Sequence, residues 1–411
     1  MQNILSRDAI SHGRGFIFDD VGKDVICREI NKIKNLLLEI GAKKGDPVTI
    51  NIMVVNIRHV AAIFACAELG LPLIILNSPA TRETLPFTKL ALHGPSKWHI
   101  FDSNEPTHLV YDGLHDEMIK LYGGRGIDIH DGYNTNDIIG ENVLPTDTFL
   151  ISSTSGTTKA SRPVTFSHKE TMAIAKRNIN VFWFGHDAKV IHSRNLHHAS
   201  ALLTHLLPAL MNAYSHSSFA LGHDGTHEED SNYLKGLKDL RDNPPSNIMM
   251  PNKSVLFDFL ETFAGPFIRT VNINMCGFLM DADFVDLARE YNVCFQSHYG
   301  SIDTAIPLLI NRVDKDTFYI PNSLGVLCDD FYETTLENGR MKVEHPMWDA
   351  PRYMDDRLEL FDGEYILKSD RPICLKEMGV PEGFDLTPFS HDTKIDFEQL
   401  RGYLDVTSRR V

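Results

Sequence analysis

Residues 151–168 read ISSTSGTTKASRPVTFSH, and no other stretch of the chain says more about its chemistry. Apolar residues at 149–151 lead into a run of serine, threonine and glycine, and residues 168–179 have a helical pattern. A strand, a hydroxyl-rich loop and a helix start favour a phosphate-binding loop, because backbone N–H groups, hydroxyls and helix N-termini attract anions. An ordinary polar surface loop is the alternative reading.

Two other loop types do not fit. A Walker loop, GxxxxGK[ST], is absent, since Gly22-Lys23 is followed by Asp24 and lacks the upstream glycine. A GxSxG nucleophile elbow is absent too, because no glycine stands two residues before Ser155. The sequence therefore gives no support for a Walker-type nucleotidase or a Ser/His hydrolase.

The flanking sequence predicts an α/β fold, because helical and strand patterns alternate at the spacing of a parallel sheet. After residue 320 short alternating segments, with turns at Asn338-Gly339 and Asp362-Gly363, predict a smaller β-rich region. The predicted helices are 24–40, 58–69, 168–179, 200–213 and 281–291. The predicted strands are 47–53, 71–76, 217–221, 272–276 and 293–297.

Composition narrows the class of protein. The 411 residues predict two or three domains, and 43% hydrophobic with 23% charged residues is ordinary for a globular chain. The net charge of −15 argues against nucleic acid binding. Six cysteines without a CxxC pair indicate a reducing compartment, so we expect a cytoplasmic protein. The longest apolar run, 60–76, is interrupted by Glu68, so no membrane-spanning helix is predicted.

The hydroxyl-rich stretch resembles the phosphate loop of the adenylate-forming enzymes, a superfamily of acyl- and aryl-CoA synthetases, luciferase-like ligases and adenylation domains. Their loop runs T-S-G-T-T-G-x-P-K-G-V, and Thr154 to Thr158 match its first five residues in order. Lys159 replaces a glycine, Ser161 the proline, Arg162 the lysine and Pro163 the last glycine. Arg162 keeps the positive charge of the family's lysine.

Four further stretches resemble the same family in the same order, and together they cover roughly residues 20–400. Residues 38–77 resemble its opening helix, turn, strand, helix and strand, and residues 196–213 resemble the segment beside the acyl pocket. Residues 275–303 end in Tyr299-Gly300-Ser301-Ile302-Asp303, where the family has Y-G-x-T-E. Tyr353-Met354-Asp355 precedes Asp362-Gly363 at the spacing of the family's T-G-D and D-G-Y.

The resemblance implies a large N-terminal domain of parallel sheets flanked by helices, with a small β-rich subdomain. It places the large domain at 1–376, its β-rich subdomain at about 320–376, and a hinge with the remnant of a small C-terminal domain at 377–411. Leu375 to Gly379 resembles the family's hinge, and 32 residues follow it where the family has roughly a hundred. The family's catalytic lysine is therefore not expected within this sequence, and a slow reaction is expected.

The resemblance also implies an activity: ATP and a small carboxylic acid form an acyl-adenylate and pyrophosphate, and the acyl group passes to a thiol or an amine. ATP and Mg²⁺ are the implied cofactors, with CoA or a carrier protein as an acyl acceptor. No nucleic acid or membrane partner is expected. The alternative is a catalytically weakened nucleotide- or acyl-binding module whose missing domain comes from a partner protein.

Residue roles follow from the resemblance. Tyr299 would stack on adenine, His198 would lie beside the acyl pocket, and Asp355 would bind the ribose hydroxyls, with Asp370 as its alternative. Asp303 would ligate Mg²⁺, which prefers carboxylate oxygens. Ile302 replaces a hydroxyl residue that touches phosphate in the family. The implied catalytic residues are Thr157, Arg162, Asp303 and His198, and the implied nucleotide-binding residues are Thr154, Ser155, Gly156, Thr157, Thr158, Lys159, Gly277, Phe278, Tyr299, Gly300, Ser301 and Asp355.

Eight histidines between residues 186 and 227 raise the alternative of a zinc site. They show no HExxH motif and no acidic or cysteine partner at a fixed spacing, so a wall of the acyl pocket is the favoured role for His198.

Overall fold

The computed structural model describes residues 4–10, 17–18, 21–51, 56–74, 98–101, 125–128, 131, 134–137, 142–153, 163–192, 199–213, 215–218, 244–249, 256–257, 259–260, 265–276, 279–281, 283–304, 307–317, 322–346, 348, 350–361, 364–368, 390–391 and 394–395. The chain forms two compact units, Met1–Leu367 and Lys368–Val411. The domain boundary expected near residue 376 stays a prediction.

The helices are amphipathic or wholly buried, as their sequences predict. α2 is apolar on nearly every side and lies inside the protein, with Asn56 as its N-cap and Gly70 in a left-handed conformation at its C-terminus. The described helices are α1 (Lys23–Glu39), α2 (Ile57–Leu69), α3 (His168–Val181), α4 (Ala199–Ala201), a π-helical turn (Leu202–Leu206), α5 (Leu207–Asn212) and α6 (Asp283–Tyr291).

The strands are numbered along the chain. The first ten are β1 (Ile17–Phe18), β2 (Val21–Gly22), β3 (Val48–Asn51), β4 (Leu73–Ile74), β5 (Trp98–Phe101), β6 (Arg125–Asp128), β7 (Thr148–Ser153), β8 (Pro163–Ser167), β9 (Lys189–His192) and β10 (Ser215–Ser218). The remainder are β11 (Asn247–Met249), β12 (Val271–Cys276), β13 (Val293–Tyr299), β14 (Leu309–Val313), β15 (Ser323–Leu327), β16 (Glu333–Glu337), β17 (Arg340–Glu344), β18 (Arg352–Phe361), β19 (Glu364–Lys368), β20 (Ser390–His391) and β21 (Lys394–Ile395).

A six-stranded sheet has the order β6-β5-β3-β4-β7-β8, and all neighbours are parallel except β7 and β8. Its hydrophobic cluster includes residues of α1, α2, β7 and β8 and of the helical segment from 199 to 212. Buried sheets of this kind require helices on their faces, and the near-continuous apolar sequence of α2 meets that requirement.

Glu68 explains the charge inside the longest apolar run of the sequence. Its carboxylate accepts hydrogen bonds from Arg7 at 2.6 Å and from Lys34 at 2.8 Å, so the network joins the N-terminal segment to α1 and α2. Burial alone would raise the pKa of Glu68, but the hydrogen bonds from Arg7 and Lys34 outweigh it and lower the pKa. The charge is therefore paired, as a buried carboxylate must be.

A second sheet of thirteen strands has the order β16-β17-β18-β19-β15-β14-β13-β12-β11-β9-β10-β1-β2. Its centre is parallel from β1 through β10, β9, β11 and β12 to β13. From β13 onward the pairs β13–β14, β14–β15, β15–β19, β16–β17 and β17–β18 are antiparallel. The β-rich region predicted after residue 320 therefore continues the parallel sheet.

Gly325 allows β15 to approach β14 closely within the antiparallel region. It has φ +84°, and a Cβ atom at this position would overlap the carbonyl group of Ile310 on β14. Only glycine combines this backbone conformation with so close an approach.

Arg177 of α3 binds the β-rich region. It forms an ion pair with Asp329 at 2.7 Å, and its guanidinium lies over the rings of Phe331 and Tyr332. The pair is buried on the arginine side, where an unpaired charge would be costly.

In the second compact unit β20 and β21 form a two-stranded antiparallel hairpin.

Candidate active site

The hydroxyl-rich loop connects two antiparallel strands. β7 and β8 pair from Thr148 with Ser167 to Ser153 with Pro163, so residues 154–162 join their ends. The helix predicted at 168–179 is confirmed as α3, and β8, which was not predicted, lies between the loop and this helix. β8 alternates exposed Pro163 and Thr165 with buried Val164 and Phe166, which is the pattern of a half-buried strand.

The N-terminus of α3 is closed by its own residues. The Ser167 side chain accepts a hydrogen bond from the backbone N–H of Glu170, and the Glu170 carboxylate accepts one from the backbone N–H of Ser167. This capping box satisfies donors that an anion would otherwise bind. The helix-dipole part of the phosphate-loop argument therefore does not apply to α3.

Most predicted loop residues lie outside the described part of the chain, and their roles stay predictions. For Asp303 and Asp355 the structure describes the backbone only, in a 3-10 turn (Ile302–Thr304) and in β18. The predicted residues outside the described ranges are Thr154, Ser155, Gly156, Thr157, Thr158, Lys159, Arg162, His198, Gly277, Phe278 and Asp370.

The carboxyl ends of β12 and β13 lie side by side. The two strands are parallel, and Cys276 pairs with His298, so both strands end at the same edge of the sheet. Tyr299 ends β13, Gly300 and Ser301 follow it, and residues 277–278 follow β12. Ligands of open α/β sheets bind outside the carboxyl ends of the strands.

Tyr299 joins this edge to β18. Its half-buried ring packs against the hydrophobic cluster of the β-rich region, and its hydroxyl donates a hydrogen bond to Oδ2 of Asp356 at 2.6 Å. The two residues are 57 positions apart in the sequence. The structure therefore brings the predicted adenine-stacking residue next to the predicted ribose-binding strand.

Met354 makes a second link between the same segments. Its sulfur receives contacts from the hydroxyls of Ser301 at 3.7 Å and Thr304 at 3.8 Å. Asp355 lies between Met354 and Asp356 in β18, and these neighbours touch the turn after β13 and the last residue of β13, respectively. Sequence reasoning missed Asp356, and the only available signal was the acidic pair at 355–356.

Ile302 is buried and belongs to the hydrophobic cluster of the six-stranded sheet, which also contains Phe149 and Leu150 of β7. The residue that replaces the family's phosphate-touching hydroxyl therefore serves packing between the two sheets.

The centre of the large sheet has one face with polar side chains, which we call the polar face and define by Asn247, Asn274, Gln296 and His298. The register aligns Asn274 with Gln296 and places His298 two residues further along β13, so these side chains share one side of the sheet. All four are at most 2% exposed. Asn274 donates to Oδ1 of Asn247, and Nε2 of His298 lies 3.3 Å from Oδ1 of Asn274.

The ring of Phe182 packs on the polar face at His298. The Phe182 ring lies 4.3 Å from the ring of His298 and 4.4 Å from the ring of His205, between centroids. Trp183 has φ +55°, which turns the chain after α3 so that Phe182 and Phe184 are both buried while Trp183 is exposed. Burial, with smaller contributions from Arg312 and Arg177, lowers the pKa of His298 to about 3.

Among the described residues, no group of three or more His, Cys, Asp or Glu side chains could hold a metal ion. Likewise, no described helix is long and apolar enough to cross a membrane.

The sequence matches no family model and no curated protein sequence. Solved structures do match. Apo MatB from Rhodopseudomonas palustris has a TM-score of 0.69 at 14% identity, covering 89% of this chain and 78% of that one. O-succinylbenzoate coenzyme A synthetase (MenE) from Bacillus subtilis, in complex with ATP and magnesium ion, has 0.69 at 15% identity, covering 86% and 76%.

A third solved structure extends the comparison. A long-chain-fatty-acid CoA ligase from Rhodopseudomonas palustris has a TM-score of 0.66 at 14% identity, covering 86% of this chain and 94% of that one. The predicted fold class is confirmed: this chain has the fold of these three solved structures.

Proposed function

We propose that this protein activates an organic carboxylic acid, acyl or aryl, as its acyl-adenylate with ATP. An oxygen of the carboxylate attacks the α-phosphorus of ATP, the bond from that phosphorus to the bridging oxygen breaks, and pyrophosphate leaves. A thiol, such as that of CoA or a carrier protein, or an amine then attacks the acyl carbon, the bond from that carbon to the phosphate oxygen breaks, and AMP leaves. Reactions of this kind depend on positioning and charge neutralisation more than on covalent help from the protein.

The observation that carries this proposal is the contact between Tyr299 and Asp356. It brings two segments, far apart in sequence, to the edge of the sheet where the fold's ligands bind. An aromatic ring beside a carboxylate is a suitable surface for a nucleoside, because the ring stacks on the base and the carboxylate accepts hydrogen bonds from ribose hydroxyls. We propose that β18 supplies this carboxylate from Asp355 or Asp356.

The remaining roles rest on the sequence. The loop from Thr154 to Thr158 would hold the β- and γ-phosphates, with Lys159 and Arg162 adding positive charge. Asp303 would hold Mg²⁺ together with phosphate oxygens. Mg²⁺ commonly binds through one or two carboxylates, substrate phosphates and water, so a cage of protein ligands is not required.

A second function is favoured by the position of Ile302. Its side chain is buried in the core, so position 302 offers no polar group to a phosphate. A protein that binds nucleotide and acid without efficient turnover, in service of a partner, would need no such contact.

The two functions are separated by pairing a binding measurement with a turnover measurement. ATP binding is measured by calorimetry, and acid-dependent pyrophosphate release is measured with a broad panel of acids. Binding with release supports the ligase, and binding without release selects the binding module. No ATP binding at all contradicts both.

The carboxylate of the ribose site is identified by the matched variants Asp355→Asn and Asp356→Asn. Substitution of the residue that binds ribose should lower ATP affinity by about tenfold, which corresponds to about 1.4 kcal/mol. Ser323, whose hydroxyl bonds to Glu364 on β19, supplies a control variant away from this edge. Ser323→Ala should leave ATP affinity unchanged.

A further inference from the structure

The polar face contains hydrogen-bonding atoms without a protein nitrogen or oxygen partner, although its side chains are buried. Nε2 and Oε1 of Gln296, Nδ2 of Asn247 and Nδ1 of His298 are all in this state. The thiol of Cys294 lies beside Gln296, but a thiol is a weak donor and a weak acceptor. Buried polar atoms are normally paired, so these atoms indicate a polar occupant.

The amide chain fixes what His298 offers to that occupant. Asn274 donates to Asn247 through Nδ2, so its Oδ1 is an acceptor toward His298. Nε2 of His298 therefore carries the proton, and Nδ1 of the neutral ring is an acceptor. An occupant must donate a hydrogen bond to this atom.

The surrounding charges limit the chemical class of the occupant. Arg177 and Arg312 both act electrostatically on His298, so a cationic donor such as an ammonium group is disfavoured. An ionised carboxylate has no proton to donate to Nδ1. A neutral O–H or N–H group meets both conditions, and Gln296 can accept its hydrogen bond or donate one to its oxygen.

Position ties this occupant to the acid. His298 immediately precedes Tyr299 in β13 and points to the opposite face of the strand, so it lies beside the sheet edge where the nucleotide is proposed to bind. A carboxylate that attacks the nucleotide must approach this edge, and the body of the acid then extends along one face of the sheet.

We propose that the acid carries a neutral hydrogen-bond donor, a hydroxyl or an amide N–H, which is bound by His298 and Gln296 on the polar face. This inference rests on the proposed function, because it names the substrate class of that same site. Unsubstituted alkyl and aryl acids would leave these atoms unpaired, and a site built to bind a hydroxyl rejects an analogue that lacks it.

The test compares acids that differ by one hydroxyl. Phenylacetate is paired with 4-hydroxyphenylacetate, and hexanoate is paired with 6-hydroxyhexanoate. The kcat/KM of pyrophosphate release and the calorimetric Kd of each acid are measured. We expect at least one hydroxy acid to be favoured by about tenfold or more.

Two variants remove the proposed contacts, and one is a matched control. In Gln296→Leu and His298→Leu, the ratio of kcat/KM for the hydroxy acid to kcat/KM for its unsubstituted partner should fall close to one. Asn311 on β14 is a buried amide that donates to the backbone oxygen of Ser323, and Asn311→Leu should lower stability but keep the preference.

The outcomes separate this inference from the proposed function. If no acid supports pyrophosphate release, the proposed function fails, and the calorimetric preference still decides the inference. A preference that survives in both Leu variants overturns the inference, as does equal affinity for both members of every pair. Absence of acid binding overturns it as well, and the polar face then holds only buried water.

Discussion

Strands β12 and β13 have two very different faces. On one face Ile273, Met275 and Phe295 pack with Phe284 of α6 into a hydrophobic cluster, which we call the apolar face. On the other face the same strands carry Asn274, Gln296 and His298, equally buried but only partly hydrogen-bonded.

The difference between the two faces shows that one side of a strand can stabilise the fold while the other side serves function. Burial of apolar surface stabilises the folded protein, whereas burial of an unpaired amide costs free energy. A protein keeps such a cost where a ligand offsets it, as is common at sites of activity. The apolar face therefore holds the sheet together, and we infer that the polar face is kept for the acid.

The largest predicted effect contrasts adjacent residues on the two faces. Phe295→Ala should lower the free energy of unfolding by about 3–5 kcal/mol, because Phe295 is fully buried and packs against Phe284. Gln296→Leu should lower it little or raise it, because leucine removes unpaired polar atoms at similar volume. Urea unfolding without ligand measures both, and a loss of several kcal/mol in Gln296→Leu would show that its amide is paired.

The second prediction concerns pH. His298 has a folded pKa of about 3, below the unfolded value of about 6.5, so the unfolded chain binds one more proton between these pH values. Its contribution is full above pH 6.5, and stability falls by about 1.4 kcal/mol per pH unit as the pH drops toward 3.

A second buried histidine, His168, also has a lowered pKa. Burial lowers its pKa to about 4, so its contribution is lost between about pH 6.5 and 4. His298→Leu and His168→Leu should each lower by one the number of protons taken up on unfolding, which is read from the slope of the free energy of unfolding against pH. Below pH 4 only His298→Leu should still differ from wild type in this slope. Unchanged slopes would mean that the buried rings are already protonated or exposed.

The third prediction tests whether the end of β13 has two roles. Tyr299→Ala should weaken ATP binding by about 1–3 kcal/mol, the range for stacking of a base on an aromatic ring. It should leave the hydroxy-acid preference unchanged, because His298 lies on the other face. Calorimetry and the paired acids give both numbers, and loss of the preference would show that the two faces are not independent.

The smallest effect is expected away from both faces. Ser167→Ala removes the N-cap of α3 and should lower the free energy of unfolding by about 1 kcal/mol. ATP affinity should stay the same, because the capping box already uses the helix N-terminus. A tenfold loss of ATP affinity would instead show that the N-terminus of α3 takes part in phosphate binding.

The strongly periodic segments were predictable from the sequence. The helix predicted at 24–40 is α1 (Lys23–Glu39), and the one at 58–69 is α2 (Ile57–Leu69), since their apolar spacing leaves few alternatives. The helix predicted at 200–213 contains the π-helical turn Leu202–Leu206, which no spacing rule reveals. β8 was missed because its short alternation begins with a proline, which usually marks a loop.

The polar face was harder to foresee. In VNINMC of β12, alternating asparagines are typical of a side that faces water, yet Asn274 is fully buried, and the Phe182 ring from a distant segment packs on His298 of the same face. Asp356 was missed because sequence spacing does not say which of two adjacent carboxylates faces Tyr299. Both failures concern contacts between segments far apart in the chain.

Gly325 has a practical meaning for anyone who tries to change the substrate of this protein. Ile310, whose carbonyl leaves no room for a side chain at 325, pairs with His298 on β13. A library that randomises both the wall of the site and position 325 should return glycine at 325 almost without exception, whichever acid is selected. The spacing of the antiparallel strands therefore cannot be changed in a redesign. Substitutions are better made among the side chains of β12 and β13.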